Sequence, residues 1–486
     1  MRDERNAAAE GKGFSGVLHR TQSICPLCHE AIEAFYIEEN GKVFIEKECS
    51  RHGSFRALAS ESAEDYRRWV ENPVVNIPPK SAQTVGDPDD NSCPLHCGTC
   101  TNHMQTACCV LIDITERCNQ HCPYCFAKSE MDDDCSGEPT MEELADKFDL
   151  LLELGEERPF NIQLSGGEPT VREDLPDIIR LASSKGFEYI QINTNGKRLA
   201  QEEGYAKTLK EAGASVVFMQ FDGTNDEIYM QLRGEPLLDL KKRAIRNCGR
   251  AGLAVTLVPT MVKGVNTDNV GEMLDFLVEN VNVVKGIHFQ PVSFFGRFPQ
   301  QQREDFPGRI TMFGLMREIE KQRPQFSCDG FCPISTGHTL CCFYSTYIRE
   351  PDGSVRCTMT ETRKQQGVSC CDGSAANKLK IISKDRDFVL NKWDVSIPDD
   401  ENDAGGVSAG GREHDGKWSQ YSSSREIINL IDFLTYYRQN AFTVTGMGFM
   451  DEMNLDAERL KRCRVQVLSE DNRLIPFCAY NSVYRK

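Results

Sequence analysis

No run of about 18 or more apolar residues occurs in this chain, so no membrane-spanning helix is expected. The first residues, MRDERNAAAEGKG, lack the apolar core of a signal peptide. Positive charge is in short supply: 56 Lys and Arg stand against 73 Asp and Glu, a net charge of −17. That deficit argues against general nucleic-acid binding and against passive attraction to an anionic membrane. The one basic stretch, Lys241, Lys242, Arg243, Arg246 and Arg250, reads as the solvated face of a helix. No internal repeat is present. A cytoplasmic, globular chain of about three domains is expected.

Cysteine is abundant instead, with 22 in the chain. Without an export signal the thiols stay reduced, so clustered cysteine means metal sooner than disulfides. Cys135 and Cys248 look isolated; most of the others come in groups. Cys25-Pro-Leu-Cys28 and Cys49, with His52 nearby, flank a hairpin expected around Asn40-Gly41. This suits a zinc ribbon or a rubredoxin-like iron site, with His52 or a distant cysteine as fourth ligand. Cys93, Cys97 and Cys100, followed by Cys108 and Cys109, form a second cassette after a polar linker at 72–91.

From residue 110 the chain alternates. Strands fit 110–114, 160–164, 188–193, 215–220, 254–259 and 286–290. Helices fit 140–154, 173–185, 202–212, 237–250 and 269–280, the first opened by Thr140 and Glu143 as a capping box. Such alternation predicts an α/β fold: a partial six-unit TIM-like barrel over 110–300, with its site at the C-terminal strand ends. Expected around it are a metal knuckle (1–60), a linker and cassette (61–109), a cysteine-rich region (301–396), a disordered insertion (397–424) and a second metal-bearing region (425–486). An amphipathic helix fits 425–438. In the tail, 465–468 and 474–477 read as a hairpin that brings Cys463 and Cys478 close.

Cys118-x3-Cys122-x2-Cys125 sits in the loop after the first barrel strand. Three thiolates can grip three irons of a [4Fe–4S] cube and leave the fourth open to a ligand, whereas four would close it for electron transfer. Gly166-Gly167-Glu168-Pro169 follows the second strand, where two glycines permit close backbone approach. Asn193 and Asn195 end the third strand, Asp222 the fourth with Arg233 beyond it, Pro259 the fifth and Gln290 the sixth.

That loop, with Tyr124 before its last cysteine and these segments in order, resembles the radical SAM superfamily. The resemblance implies a catalytic cluster on Cys118, Cys122 and Cys125 that cleaves S-adenosylmethionine (SAM) to a 5′-deoxyadenosyl radical, which removes hydrogen from an unactivated carbon. It implies SAM contacts from Tyr124, Gly166 to Pro169, Asn193, Asn195, Asp222, Arg233, Pro259 and Gln290. It also implies an electron donor such as a ferredoxin or flavodoxin. A narrower resemblance, carried by Cys25–Gly53, Cys93–Ala127 and the tail words GFMD and IPFCAYN, is to the tetraether synthase and pterin C-methyltransferase-like group. That group implies one auxiliary [4Fe–4S] cluster on Cys93, Cys97, Cys100 and Cys108. It implies another on Cys463 and Cys478 with two of Cys332, Cys341 and Cys342, and one mononuclear iron or zinc on Cys25, Cys28 and Cys49 with one more ligand.

The expected reaction is carbon–carbon bond formation on a lipid-like substrate. The alternatives are C-methylation or modification of a small heterocycle or peptide, and a non-enzymatic iron–sulfur electron carrier. A long apolar tunnel would favour lipid; a short polar pocket would favour a heterocycle.

Overall fold

The computed structural model describes residues 16–72, 74–79, 93–98, 100–127, 129, 137–155, 159–299, 308–334, 337–359 and 436–485. The expected insertion at 397–424, most of the helix expected at 425–438, most of the linker, and Cys135, Cys370 and Cys371 lie outside them.

The N-terminal unit is an antiparallel sheet in the order β1 (Val17–Ile24), β2 (Ala31–Glu39), β3 (Lys42–Cys49), β4 (Gly53–Ser60). Its central hairpin turns at Asn40-Gly41, where both residues take positive φ, 50° and 73°. Two left-handed residues make the turn that matches strand twist. Helix α1 (Ala63–Val70) follows, and its Trp69 meets Phe313 edge-on at 5.5 Å between ring centroids.

The main sheet begins with β5 (Cys109–Thr115), β6 (Asn161–Gly166), β7 (Ile190–Thr194), β8 (Val216–Gln220), β9 (Ala254–Val258), the two-residue β10 (Thr260–Met261) and β11 (Val284–Pro291). Between them lie α2 (Met141–Leu154), α3 (Leu175–Ser184), α4 (Lys197–Gln201), α5 (Tyr205–Ala212), α6 (Asp226–Arg233), α7 (Leu238–Arg250) and α8 (Val270–Glu279). The capping box is present: the Thr140 hydroxyl accepts from the Glu143 N–H at 3.2 Å, and the Thr140 N–H donates to the Glu143 carboxylate at 2.7 Å. Strand cores such as Ile162, Leu164, Ile190, Ile192, Val216 and Val217 are fully buried, as a parallel sheet covered by helices requires.

The chain then adds strands that the six-unit expectation lacks. After α9 (Met312–Gln322) come β12 (Cys332–Pro333), β13 (Cys342–Arg349), β14 (Val355–Cys357), β15 (Ala441–Met447), β16 (Val465–Leu468) and β17 (Leu474–Pro476). β15 pairs parallel with β11 and β16 pairs parallel with β5. The parallel run is therefore β15-β11-β9-β8-β7-β6-β5-β16, with β13 and β17 antiparallel outside it. Six strands alone would leave two open edges, each a row of unpaired backbone groups. The C-terminal segment covers both, and its 448–464 stretch links the two ends of the run. The expected tail hairpin is β16 and β17.

The basic stretch on α7 needs correcting. Arg243, Arg246 and Arg250 are exposed, but Lys241 is fully buried. Its ammonium donates to the Asn195 carbonyl and to Gln220 Oε1, so it points inward beneath the strand ends.

Candidate active site

Cys118, Cys122 and Cys125 lie in the loop after β5 and line a cavity of about 520 Å3 at the C-terminal ends of the parallel strands. The loop is held from several sides. The Gly167 and Glu168 N–H groups donate to the carbonyls of Thr115 and Arg117, both at 2.8 Å. Arg233 Nη1 donates to the Tyr124 carbonyl at 3.0 Å. Lys197 Nζ donates to the Asn119 carbonyl at 3.1 Å. Arg297 Nε donates to the Cys122 carbonyl at 2.9 Å, and Arg297 and Cys125 exchange backbone hydrogen bonds of 2.9 and 2.8 Å.

The glycine pair packs tightly on the thiol loop. A Cβ on Gly166 would stand 2.0 Å from the Thr115 carbonyl oxygen, and one on Gly167 would stand 2.1 Å from that of Arg117. The close approach is to the root of the cysteine loop. Gly166 also takes φ +123°. Glu168 is buried and accepts from Thr170 and Thr194 hydroxyls, both at 2.6 Å, and from the Asn195 N–H at 2.6 Å. It ties the ends of β6 and β7 together.

Other expected SAM contacts are partly redirected. Arg233 forms a two-pronged pair with Asp222, both contacts 2.7 Å, and also donates to Thr260 Oγ1. Asp222 is fully buried and does not line the cavity; neither does Pro169, nor Pro259, whose neighbours Val258 and Thr260 line it instead. Asn193 hydrogen-bonds to Gln163 and Gln191, and Asn195 donates to Asn119 Oδ1 at 2.7 Å. Tyr124, Gly166, Gly167, Glu168, Asn193, Asn195, Arg233 and Gln290 do line the cavity.

The three thiols fit an iron–sulfur cluster. They face one cavity, and beside them the Gln120 amide is buried with neither its nitrogen nor its oxygen partnered. An orphaned buried amide there marks the place of a missing polar ligand. Burial, with the Glu168 charge, pushes the Cys118 thiol up to about 12. Burial also raises Cys122, against the opposing charge of Arg233. With Cys118 and Cys122 so raised, loading of metal displaces their protons.

In the N-terminal sheet, Cys25, Cys28, Cys49 and His52 place their ligand atoms within 4.8 Å of one another, which answers the open question of the fourth ligand in favour of His52. Cys28 and Cys49 sulfurs stand 3.9 Å apart, and His52 Nδ1 stands 3.5 Å from both Cys25 and Cys49 sulfurs. Tetrahedral zinc bonds of about 2.3 Å to sulfur and about 2.0 Å to nitrogen require separations of about 3.8 and 3.5 Å. The Cys49 thiol is lowered to about 6, first by the Arg51 N–H and also by His52. A Cys3His set suits zinc better than a rubredoxin-like iron.

The remaining cysteines regroup. Cys97 feels Cys93 and Cys100, as expected. The Cys108 N–H donates to the Arg464 carbonyl at 2.9 Å, beside Cys463, and its charge reaches Cys342. Cys463 feels Cys478 and Cys341, and Cys478 feels Cys341. Cys332 lies on β12 opposite Tyr344. It acts on Tyr347 together with Cys328 and Cys357. The reason is the antiparallel pairing of β12 and β14 with the outer side of β13.

Sequence reasoning missed Arg297, Gly296, Lys241 and Gln120. A Cβ on Gly296 would stand 2.4 Å from the Cys125 carbonyl oxygen, and Gly296 takes φ +73°. The Phe-Gly-Arg-Phe word at 295–298 was the available signal, lying just past the sixth strand.

An α/β barrel with a three-thiol loop at its C-terminal strand ends defines a cluster-dependent enzyme class. The radical SAM superfamily model matches residues 112–277, and the HMPTM N-terminal zinc ribbon domain model matches residues 17–61. Over nearly its full length the chain is similar to 7,8-dihydro-6-hydroxymethylpterin dimethyltransferase of Methanocaldococcus jannaschii, 32% identical over 96% of this chain and 94% of the relative. The chain belongs to the radical SAM superfamily and is an enzyme that cleaves SAM. It is also 33% identical to a probable GTP 3′,8-cyclase of Methanothermobacter thermautotrophicus, over 36% of this chain and 55% of that relative. Among solved structures, native anSMEcpe with bound AdoMet matches with 17% identity and a TM-score of 0.35, over 49% of this chain and 73% of that one. No helix among the described residues is long and apolar enough to cross a membrane.

Proposed function

We propose that this enzyme methylates a carbon of a small, flat heterocycle of the dihydropterin type: the SAM-derived radical takes one hydrogen from that carbon, and the carbon radical then accepts a methyl group from a second SAM together with one electron from the reductant, releasing S-adenosylhomocysteine. The observation that carries this reading is the cavity itself. At about 520 Å3 it falls within the range of small-molecule sites, about 300–1,000 Å3, and its wall is mixed. Asn161, Gln163, Gln191, Gln220 and Gln290 contribute amides, while Phe126, Phe295, Phe298, Phe449 and Phe477 contribute aromatic faces. Buried amides are costly against hydrocarbon, so this wall argues against the lipid-tail expectation. The full-length similarity to the pterin dimethyltransferase points the same way.

Cys118, Cys122 and Cys125 would hold the [4Fe–4S] cluster, and Gln120 and the Glu168 region would adjoin SAM. When bound, the cluster supplies the electron that splits SAM into methionine and the 5′-deoxyadenosyl radical. The chain fixes the thiol loop, through Arg297, Arg233 and Lys197, and keeps water from the radical by aromatic closure. Cys25, Cys28, Cys49 and His52 would hold zinc. Cys93, Cys97 and Cys100, and separately Cys108, Cys341, Cys463 and Cys478, would hold auxiliary clusters, fed by a ferredoxin or flavodoxin.

The test is anaerobic reaction of the reconstituted enzyme with SAM, reductant and 7,8-dihydro-6-hydroxymethylpterin. Expected are 5′-deoxyadenosine and a pterin heavier by one or two methylene units. Methylation of an isoprenoid or fatty-acyl lipid in place of the pterin would overturn the reading.

A further inference from the structure

We propose that the linked side chains Tyr189, Gln191, Asn193 and Gln163, part-way down the barrel interior, read the polar edge of the substrate ring. The inference rests on the heterocycle reading above and names the surface that performs the recognition.

The four side chains form one hydrogen-bonded ladder across β6 and β7. The Tyr189 hydroxyl donates to Gln191 Oε1 at 3.2 Å, Gln191 Nε2 donates to Asn193 Oδ1 at 2.7 Å, and Asn193 Nδ2 donates to Gln163 Oε1 at 3.1 Å. All four line the cavity. They lie earlier along their strands than Ser165 and Gly166 on β6 and than Thr194 on β7, so they sit below the thiol loop. The interiors of closed parallel barrels are filled mostly by branched apolar layers. Here β6 and β7 present amides at that level, with apolar Leu111 and Phe218 in register on the strands to either side, and amides that border a cavity have a use.

The ladder leaves capacity over. Each primary amide offers two N–H donors and a carbonyl with two lone pairs. In the chain of bonds above, Gln191 and Asn193 each use one donor and accept one bond, and Gln163 accepts one bond while its amide also hydrogen-bonds the Cys109 sulfur, which leaves it one donor and one lone pair. The remaining donors and lone pairs belong to amides whose orientation is already fixed by their neighbours. A bicyclic aminopyrimidinone presents alternating ring N–H, carbonyl and exocyclic amino groups in one plane. Amide side chains meet such an edge with paired donor and acceptor contacts, as they do on purine edges. Preorganised polar groups also reject a ligand that leaves them unpaired, by factors far larger than an apolar pocket reaches. A hydrocarbon tail would strip water from the ladder and return nothing.

The ladder is separate from the groups that brace the thiol loop. Glu168, Thr194 and Asn195 form their own network at the strand ends. Substrate recognition and SAM recognition can therefore be perturbed one at a time.

The experiment measures equilibrium binding to the reconstituted holoenzyme under anaerobic conditions, with the dihydropterin and SAM titrated separately. Gln163→Leu and Gln191→Leu each remove one member. Each is expected to weaken dihydropterin binding about tenfold, the cost of one buried hydrogen-bond partner, with the SAM dissociation constant changed less than about threefold. A second measurement needs no variant: an analogue lacking the exocyclic amino group should bind wild type about tenfold more weakly, and the loss should shrink in Gln163→Leu. If wild type binds the dihydropterin and both variants bind it equally well, the ladder is not the recognition surface. If wild type does not bind the dihydropterin at all, the heterocycle reading falls first.

Discussion

Arg297 reaches back across the barrel mouth to Cys122: its Nε donates to the Cys122 carbonyl at 2.9 Å, while its backbone exchanges hydrogen bonds with Cys125. One residue thus fixes two of the three thiol positions through the main chain. Gly296 permits this, because any side chain there would collide with the Cys125 and Phe126 carbonyls. Arg297→Leu should leave the Cys122 carbonyl without its partner, at a cost of about 1–3 kcal/mol. Iron and sulfide retained per chain should fall, and 5′-deoxyadenosine release with it; Arg297→Lys should restore little, since the side chain also reaches the Ser129 carbonyl. Anaerobic iron counting checks both.

Cys122→Ala should abolish 5′-deoxyadenosine release while zinc at the N-terminal sheet is retained. His52→Ala should do the reverse, lowering zinc content and leaving the iron of the barrel loop in place. Metal analysis of the two variants side by side separates the centres.

Gly166→Ala places a Cβ 2.0 Å from the Thr115 carbonyl at φ +123°. Strain and overpacking together should cost about 3 kcal/mol or more. A fall in thermal midpoint, measured before cluster loading, tests this; Gly53→Ala, which meets nothing within 4 Å, should cost less despite its φ of +77°.

Burial lowers the Lys241 ammonium to about 8. Its folded value lies below its unfolded value of about 10.4. Between these values the unfolded chain binds more protons than the folded one, so this group's contribution to stability rises with pH from about 8 to about 10.4 and is flat on either side. Lys241→Met should flatten that slope in denaturant titrations taken across the window. It should also free Gln220 and the Asn195 carbonyl, which the ammonium holds.

Much of this was legible in the sequence. The six central strands and their helices, the capping box at Thr140, the Asn40-Gly41 turn and the thiol loop follow from local patterns, and local patterns are what a sequence states most directly. What was not legible depends on contacts between distant segments. β16 reads as one arm of a tail hairpin, and nothing in it or in the 441–447 segment announces that they join opposite ends of one parallel run. Arg233 carries the same charge whether it meets Asp222 or a ligand, and only the fold decides that it meets Asp222. Lys241 lies in a basic stretch whose other members are solvated, and its one-residue difference in helical phase turns it inward. Cys108 follows the second cassette in sequence yet lies beside Arg464, because β5 pairs with β16.

That last pairing has a bearing on how the molecule is made. During synthesis the thiol loop emerges long before residues 441–468, which furnish both outer parallel strands and the Phe449 that meets Phe477 at 4.4 Å. A nascent chain therefore carries the means of gripping a cube well ahead of the wall that encloses it. Radical chemistry begun on the ribosome would meet open solvent; placing the wall about 300 residues after the loop means that a competent chamber exists only once residues 441–468 have been made.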